Sequence, residues 1–292
     1  MNFPDEIAHL VRSDEPLGPM VWLGIGGPAR FFAEPVDQEQ LVALYRAAID
    51  GGLAVRVLGS GSNVLVREAG FDGLVISLAA APTSGLQIRG NTLVAGAGAK
   101  LSHAVIKSVS AGLGGLEHLV GIPGTVGGGV VGNSSAGGRD LGSVVHEITV
   151  LDSQGQSKVI SQEEASFGHR KTSLGGWLVC EVAFALEPRE VTALTKRMQK
   201  LWINRNAQRP SQETRIAMPF VDPDGISACE LIQNVGLAGL REGDVSLDAR
   251  QPNYLVAHEA ATSDQCLRLI DRIREQVLLQ TGVDLQLNLQ IW

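Results

Sequence analysis

Gly121-Ile122-Pro123-Gly124-Thr125-Val126-Gly127-Gly128-Gly129, followed by Gly132-Asn133, is the stretch on which the reading of the fold turns. Five glycines and a proline in nine positions are poor material for a helix or a strand. Glycine costs roughly 0.5–1 kcal/mol relative to alanine inside either element. Such a run is tolerated where a backbone takes unusual dihedrals or where a ligand comes close to it. Successive N–H groups of a glycine-rich loop can point into one concavity and hold an anion, most often a phosphate. A plain surface turn would explain a single Gly-Gly pair. A run of this length, edged by apolar residues, points to a ligand-cradling loop that is neither helix nor strand.

Around it the chain is ordinary globular material. Its 292 residues fit two domains or three small ones, and 44% hydrophobic with 19% charged content allows a sizeable core. The net charge of −7 opposes an electrostatic grip on nucleic acid. No window of about 18 uninterrupted apolar residues occurs, and Met1-Asn2-Phe3-Pro4-Asp5-Glu6 has no basic region, so neither a membrane span nor a signal peptide is expected. Cys180, Cys229 and Cys266 are odd in number and widely spaced, which fits small core residues better than a disulfide framework or a zinc site. A cytoplasmic protein with no bound metal is expected.

Local patterns give the elements. Arg30 to Glu34 reads as a strand stopped by Pro35, after which Asp37 caps a helix with Leu41, Leu44, Tyr45 and Ala48 on one face and Gly51-Gly52 at its end. Val55–Leu58 and Val64–Val66 are strands flanking Gly59-Ser60-Gly61-Ser62-Asn63, and Gly73–Leu78 is another. Thr92–Ala95, Glu147–Leu151 and Trp177–Phe184 are strands of a glycine-rich middle region, with a helix from Leu101 to Ala111 burying Ala104, Val105 and Val109. Val191, Leu194, Met198, Leu201 and Trp202 mark an amphipathic helix, followed by a polar linker from Asn204 to Arg215. Thr262 to Asp264 caps a helix with Cys266, Ile270, Ile273 and Val277 as its stripe and Gly282 as its stop. The last strand alternates Leu285, Leu287, Leu289 and Ile291 against Gln286, Asn288 and Gln290.

Gly59-x-Gly61 and Gly96-x-Gly98 imitate a dinucleotide fingerprint, yet Val64 and Leu101 stand where a third glycine is needed. The first motif runs into a strand, so no helix N-terminus is there to receive a pyrophosphate. A Rossmann-type NAD-dependent dehydrogenase is therefore the weaker reading. The stronger one has amides of Gly59–Asn63 and Gly121–Gly128 converging on one diphosphate, with side-chain donors from Ser62, Asn63 and Thr125.

Three segments in this order carry a family pattern: Leu23-Gly24-Ile25-Gly26-Gly27-Pro28-Ala29, Val57-Leu58-Gly59-Ser60-Gly61-Ser62-Asn63-Val64-Leu65-Val66 and Gly121–Gly128. With Leu231–Gly239 and Asn253–Val256 they resemble the MurB family, the UDP-N-acetylenolpyruvoylglucosamine reductases of peptidoglycan synthesis, over nearly the whole chain. The resemblance implies an α+β flavoprotein. A PCMH-type FAD-binding domain in two α+β subdomains, 1–80 and 81–188, would precede a MurB-type substrate domain, 189–292, whose last strand can return to the first subdomain. It implies FAD as cofactor, NADPH as reductant, and a small-molecule substrate, a UDP-amino sugar enolpyruvyl ether. A monomer with no nucleic-acid or membrane partner is expected. The cofactor site would comprise Leu58, Gly59, Ser60, Gly61, Ser62 and Asn63 from one loop. Gly121, Ile122, Pro123, Gly124, Thr125, Val126, Gly127 and Gly128 would come from the other, with Asn133 beyond. Arg170, in Phe167-Gly168-His169-Arg170-Lys171-Thr172, would be catalytic, since a guanidinium binds a carboxylate bidentately and never deprotonates.

The pattern breaks at two positions. Met218, in Ala217-Met218-Pro219-Phe220-Val221-Asp222-Pro223, stands where the family has its acid serine, and Asn288 where it has a glutamate. A thioether has no proton to give. Asp222 replaces a residue that helps hold the nucleotide, and a carboxylate there needs a partner such as Arg209 or Arg215. General acid catalysis contributes about 10²–10⁴-fold. The sequence thus leaves three readings: a divergent reductase protonated by water, Ser227, Cys229 or His169; a flavoprotein with another acceptor; or a homologue that only binds.

Overall fold

The computed structural model describes residues 3–78, 85–210, 215–223 and 225–292. The expected boundary after residue 80 and the middle of the expected polar linker lie outside them. The chain forms two compact units, each built from three separated segments. Unit 1 comprises Met1–Ser13, Phe31–Ser60 and Asp72–Arg205; unit 2 comprises Asp14–Arg30, Gly61–Phe71 and Asn206–Trp292. This interleaving differs from three consecutive domains, because the chain passes between units four times before residue 73.

In unit 1 the strands Ala54–Leu58 and Phe71–Ser77 run parallel, in register from Ala54↔Gly73 to Leu58↔Ser77. The helix Gln38–Asp50 follows Asp37, whose side chain accepts the Gln40 N–H, and buries Leu41, Leu44, Tyr45 and Ala48 as expected. A second sheet is antiparallel throughout, in the order Ser157–Ser161, Val145–Leu151, Leu178–Ala185, Thr92–Gly96, Leu86–Arg89. The helix Leu101–Ser110 buries Ala104, Val105 and Val109, together with Leu101 and Ser108. One apolar cluster, from Phe3 to Leu186, serves the whole unit.

The Val191–Ala207 helix departs from its expected stripe. Leu194 is buried and Met198 and Leu201 pack on the core, but Val191 and Trp202 are 44% and 51% exposed. The line that faces the core is 194/198/201, and apolar residues on either side of it reach solvent. The helix also runs four residues into the expected linker, where Arg205 donates to the carbonyls of Val120 and His118.

In unit 2 a four-stranded antiparallel sheet orders Ile216–Ala217, Leu255–Ala257, Val245–Leu247, Arg241–Glu242. The helix Ser263–Thr281 starts in a Thr262–Gln265 capping box and stops at Gly282, φ 74°. It buries Cys266, Leu269, Ile270, Ile273 and Val277. Burial of each large aliphatic side chain is worth about 1.5–3 kcal/mol, so packing outweighs the roughly 1 kcal/mol of the cap. The Cys180 and Cys266 thiols, buried in the two cores, are each pushed up to about 12 by desolvation and behave as small apolar groups. Of the last alternating stretch, Leu285 and Leu289 are buried while Leu287 is 37% exposed. Gln290–Ile291 pairs in parallel with Val64–Leu65.

Candidate active site

The Ala54–Leu58 strand delivers Gly59 directly against Thr125. A Cβ on Gly59 would lie 2.6 Å from Thr125 Oγ1 and 3.3 Å from its Cγ2, where 3.4 Å is ordinary contact. The two glycine-rich segments singled out by the sequence therefore meet within unit 1 at that pair. Gly124 and Val126 are fixed from below: the Leu101 N–H donates to Gly124 O at 3.0 Å and the Val126 N–H to Ala99 O at 2.8 Å. Upstream, Arg205 ties down the carbonyls of His118 and Val120. Buried Glu117 accepts the Gly115 N–H at 2.6 Å and pairs with Arg197 at 3.2 Å.

Half of the glycine run is helical, contrary to expectation. Val126–Val131 forms a helix whose N-cap, Thr125, accepts the Gly128 N–H through Oγ1 at 3.3 Å. Close packing overrides propensity here. A Cβ on Gly127 would lie 2.8 Å from that of Ala97, and one on Gly129 would lie 3.2 Å from the Leu141 side chain. These glycines let the helix lie on its neighbours. Gly121 to Thr125 remains non-helical, with Gly124 at φ +134°, a region closed to other residues.

Among the described residues, the N–H groups of Gly59 through Asn63, and of Gly124 and Thr125, donate no hydrogen bond to the chain. Successive N–H groups left free in a turn can hold an anion or water. Ser60 Oγ is buried and has no partner among the described residues.

Arg170 sits in a turn closed between Gly168 and Lys171, with φ +55°, and donates through Nη2 to Ser135 O at 3.3 Å. Its loop is tied to the chain that follows the glycine helix. Asn133 Nδ2 donates to Gly168 O at 2.8 Å, Asn133 Oδ1 accepts the Gly142 N–H at 2.9 Å, and Thr172 Oγ1 donates to Val131 O at 3.1 Å. Asn133 is 1% exposed, so its side chain holds the Arg170 loop.

In unit 2, the positions of the two missing acids come together. The Val221 N–H donates to Gln286 O at 3.0 Å and the Asn288 N–H to Pro219 O at 2.7 Å. Asn288 Nδ2 donates to Met218 O at 3.2 Å and to Asn63 Oδ1 at 3.1 Å, and Asn63 Nδ2 donates to Asn288 O at 2.7 Å. Buried Asn253 holds the same segment from its other side. Its Oδ1 accepts the Phe220 N–H at 3.3 Å and its Nδ2 donates to Phe220 O at 3.0 Å. Sequence reasoning placed Asn253 in a motif without a role; an asparagine whose amide replaces a missing strand has no local signal.

Two of the substitute proton donors, Ser227 and Cys229, are less available than the sequence allows. Ser227 Oγ accepts the Glu230 N–H and donates to Glu230 Oε2, both at 3.1 Å, in a capping box. Burial raises the Cys229 thiol, which lies 3.6 Å from Gln251 Oε1. His169 is exposed. Asp222 accepts the Ala228 N–H at 2.9 Å. Arg209 lies over the Trp22 ring, 4.8 Å from its centroid. Far from belonging to a loose linker, Arg215 donates to the carbonyls of Leu23, Gly24 and His258 at 2.8, 3.2 and 2.6 Å.

Two family patterns match this chain. One, described as an FAD binding domain, covers residues 29–161, and the other, the UDP-N-acetylenolpyruvoylglucosamine reductase C-terminal domain, covers residues 209–292. The chain is 66% identical over 290 residues to a UDP-N-acetylenolpyruvoylglucosamine reductase of Rhodopirellula baltica, covering 99% of this chain and 95% of that one. The chain belongs to the MurB family. Another member, from Symbiobacterium thermophilum, is 37% identical over 97% of this chain and 92% of its own. The crystal structure of the MurB of Thermus caldophilus superposes with a TM-score of 0.82 at 30% identity, covering 97% and 98% of the two chains. A cholesterol oxidase of Brevibacterium sterolicum, at 17% identity and TM-score 0.51, shares the fold over 64% of this chain and 39% of its own. The fold is thus an FAD-binding domain joined to the MurB C-terminal domain. No helix among the described residues is long and apolar enough to cross a membrane.

Proposed function

We propose that this MurB-family chain is an FAD-dependent reductase that uses NADPH to convert UDP-N-acetylglucosamine enolpyruvate to UDP-N-acetylmuramate, acting as a cytoplasmic monomer in peptidoglycan precursor synthesis. The observation that carries the reading is the approach of Gly59 to Thr125, with unused N–H groups on both turns. These residues fit FAD: a bare backbone at the point of approach, unpaired amides for a pyrophosphate, and glycine where a side chain would fill the space. Leu58 to Asn63 and Gly121 to Gly128 would hold it. FAD, when bound, supplies the hydride chemistry.

The chain's own residues position and charge the substrate. Arg170 binds the substrate carboxylate and holds negative charge that develops on it, and Asn133 and Thr172 keep its loop in place. Met218 has no proton and Asn288 has both amide protons engaged, so solvent water protonates the substrate carbon. Turnover is then slower than with a positioned acid, by up to about 10²–10⁴-fold.

Purified protein should be yellow, with a flavin band near about 450 nm that NADPH bleaches. Under anaerobic stopped flow, the enolpyruvyl substrate should restore that band. The state of positions 218 and 288 favours a second reading, a flavoprotein impaired or repurposed. It predicts NADPH bleaching with no recovery on adding substrate.

A further inference from the structure

We propose that Asn288 is a positioning residue whose carboxamide locks Asn63, the last residue of the Gly59–Asn63 loop, to the Met218–Val221 segment, so that cofactor binding and order in that segment rise and fall together. The inference rests on the reading above that this loop holds FAD. Its geometry is independent of that reading.

The orientation of both amides is dictated by main-chain atoms. Met218 O can only accept, so the Asn288 side-chain atom 3.2 Å from it is Nδ2. Asn288 O can only accept, so the Asn63 atom 2.7 Å from it is also Nδ2. That leaves Asn63 Oδ1 facing Asn288 Nδ2 at 3.1 Å. The three bonds are mutually consistent, and two of them join residues 225 apart in sequence. Main-chain bonds extend the same connection: the Gln290 N–H donates to Asn63 O at 3.0 Å, the Asn288 N–H to Pro219 O at 2.7 Å, and the Val221 N–H to Gln286 O at 3.0 Å. Asn253 closes the far side by pairing with both polar groups of Phe220. A displacement of Asn63 is therefore felt at Met218 through one side chain.

The same geometry assigns position 288 a donor's role. A carboxylate there would turn its oxygens toward Met218 O and Asn63 Oδ1, both acceptors, and would replace two bonds by two repulsions. Asparagine at 288 is in this sense specific to the local network and is more than a lost acid.

The test compares wild type with Asn288→Ala, Asn288→Asp and the control Gln290→Ala, an exposed neighbour whose main-chain bond to Asn63 is untouched. FAD affinity is titrated by flavin fluorescence, and amide hydrogen exchange is followed across residues 216–221 with and without FAD. In wild type, FAD should slow exchange at Phe220 and Val221. Both Asn288 variants should bind FAD about tenfold more weakly and lose that protection. Gln290→Ala should behave as wild type. Unchanged FAD affinity with only a lower melting temperature would reduce Asn288 to a structural residue and overturn the proposal. So would wild-type exchange at 220–221 that ignores FAD, a measurement that needs no variant to fold. Wild-type protein that takes up no FAD would overturn the cofactor reading as well, and is recognised by its lack of colour.

Discussion

Gly59→Ala tests the meeting of the two turns most directly. Its backbone is outside the left-handed region, so alanine adds no dihedral strain there, and any loss of stability comes from the new methyl. That methyl would sit 2.6 Å from Thr125 Oγ1, well inside the 3.4 Å of ordinary contact. Thr125 can rotate away, but Oγ1 then releases the Gly128 N–H and the helix loses its cap, at about 1 kcal/mol. Alternatively both turns shift, as in an overpacked core, at about 1–3 kcal/mol. We expect Gly59→Ala to cost about 1–3 kcal/mol by urea denaturation and to weaken FAD uptake at least about tenfold. Thr125→Ala alone should cost about 1 kcal/mol for the cap. The double variant should cost little more than Thr125→Ala, because removing Oγ1 makes room for the methyl. The expected coupling is about 1–2 kcal/mol. Additivity of the two changes to within about 0.5 kcal/mol would refute the argument, since residues that do not touch add in that way.

Arg170→Ala should lower the rate of anaerobic flavin reoxidation by substrate about 10²–10³-fold while the flavin spectrum and FAD affinity stay as in wild type. Met218→Ser keeps the carbonyl that Asn288 binds, so it should raise that rate by up to about 10²-fold. Adding Asn288→Glu should abolish the gain, and a further increase would show that the amide network is dispensable. Asp152 is held at about 2, below the usual 3.8, by its bond from Lys158 and by the amides of Gln156 and Gln154. A depressed carboxyl stabilises the fold above its unfolded value and loses that contribution as pH falls through the folded one. Asp152→Asn should therefore melt below wild type at pH 6, with the gap closing between pH 4 and pH 2.

Much of the candidate site was legible because its signals are short. The Gly59–Asn63 loop and the Gly121–Gly128 run stand out by composition alone, and the alternation of the last strand puts Asn288 among its polar positions. Their consequences were less legible. Glycine content argued against any helix, yet Val126–Val131 is one, because Ala97 and Leu141 leave no room for side chains and Thr125 supplies the cap. The sequence offered Arg215 as a counter-ion in a linker; carbonyls from two distant segments, 23–24 and 258–259, claim it instead. Ser227 offered a hydroxyl for proton donation, which Glu230 three residues on engages in a cap.

By itself, the sequence determined the helices that carry their own caps and periods. Gln38–Asp50 begins at Asp37 and buries the four residues its spacing names, and Ser263–Thr281 runs from the Thr262 box to Gly282. Caps and amphipathic stripes act over three or four residues, so they are written in consecutive letters. Only the tertiary structure decided that Gly59 touches Thr125, that Asn63 binds Asn288, and that Trp202 faces solvent while Leu194 does not. Such contacts depend on where distant segments pass, and packing among those segments exceeds the fraction of a kcal/mol per residue that local propensity can set against it.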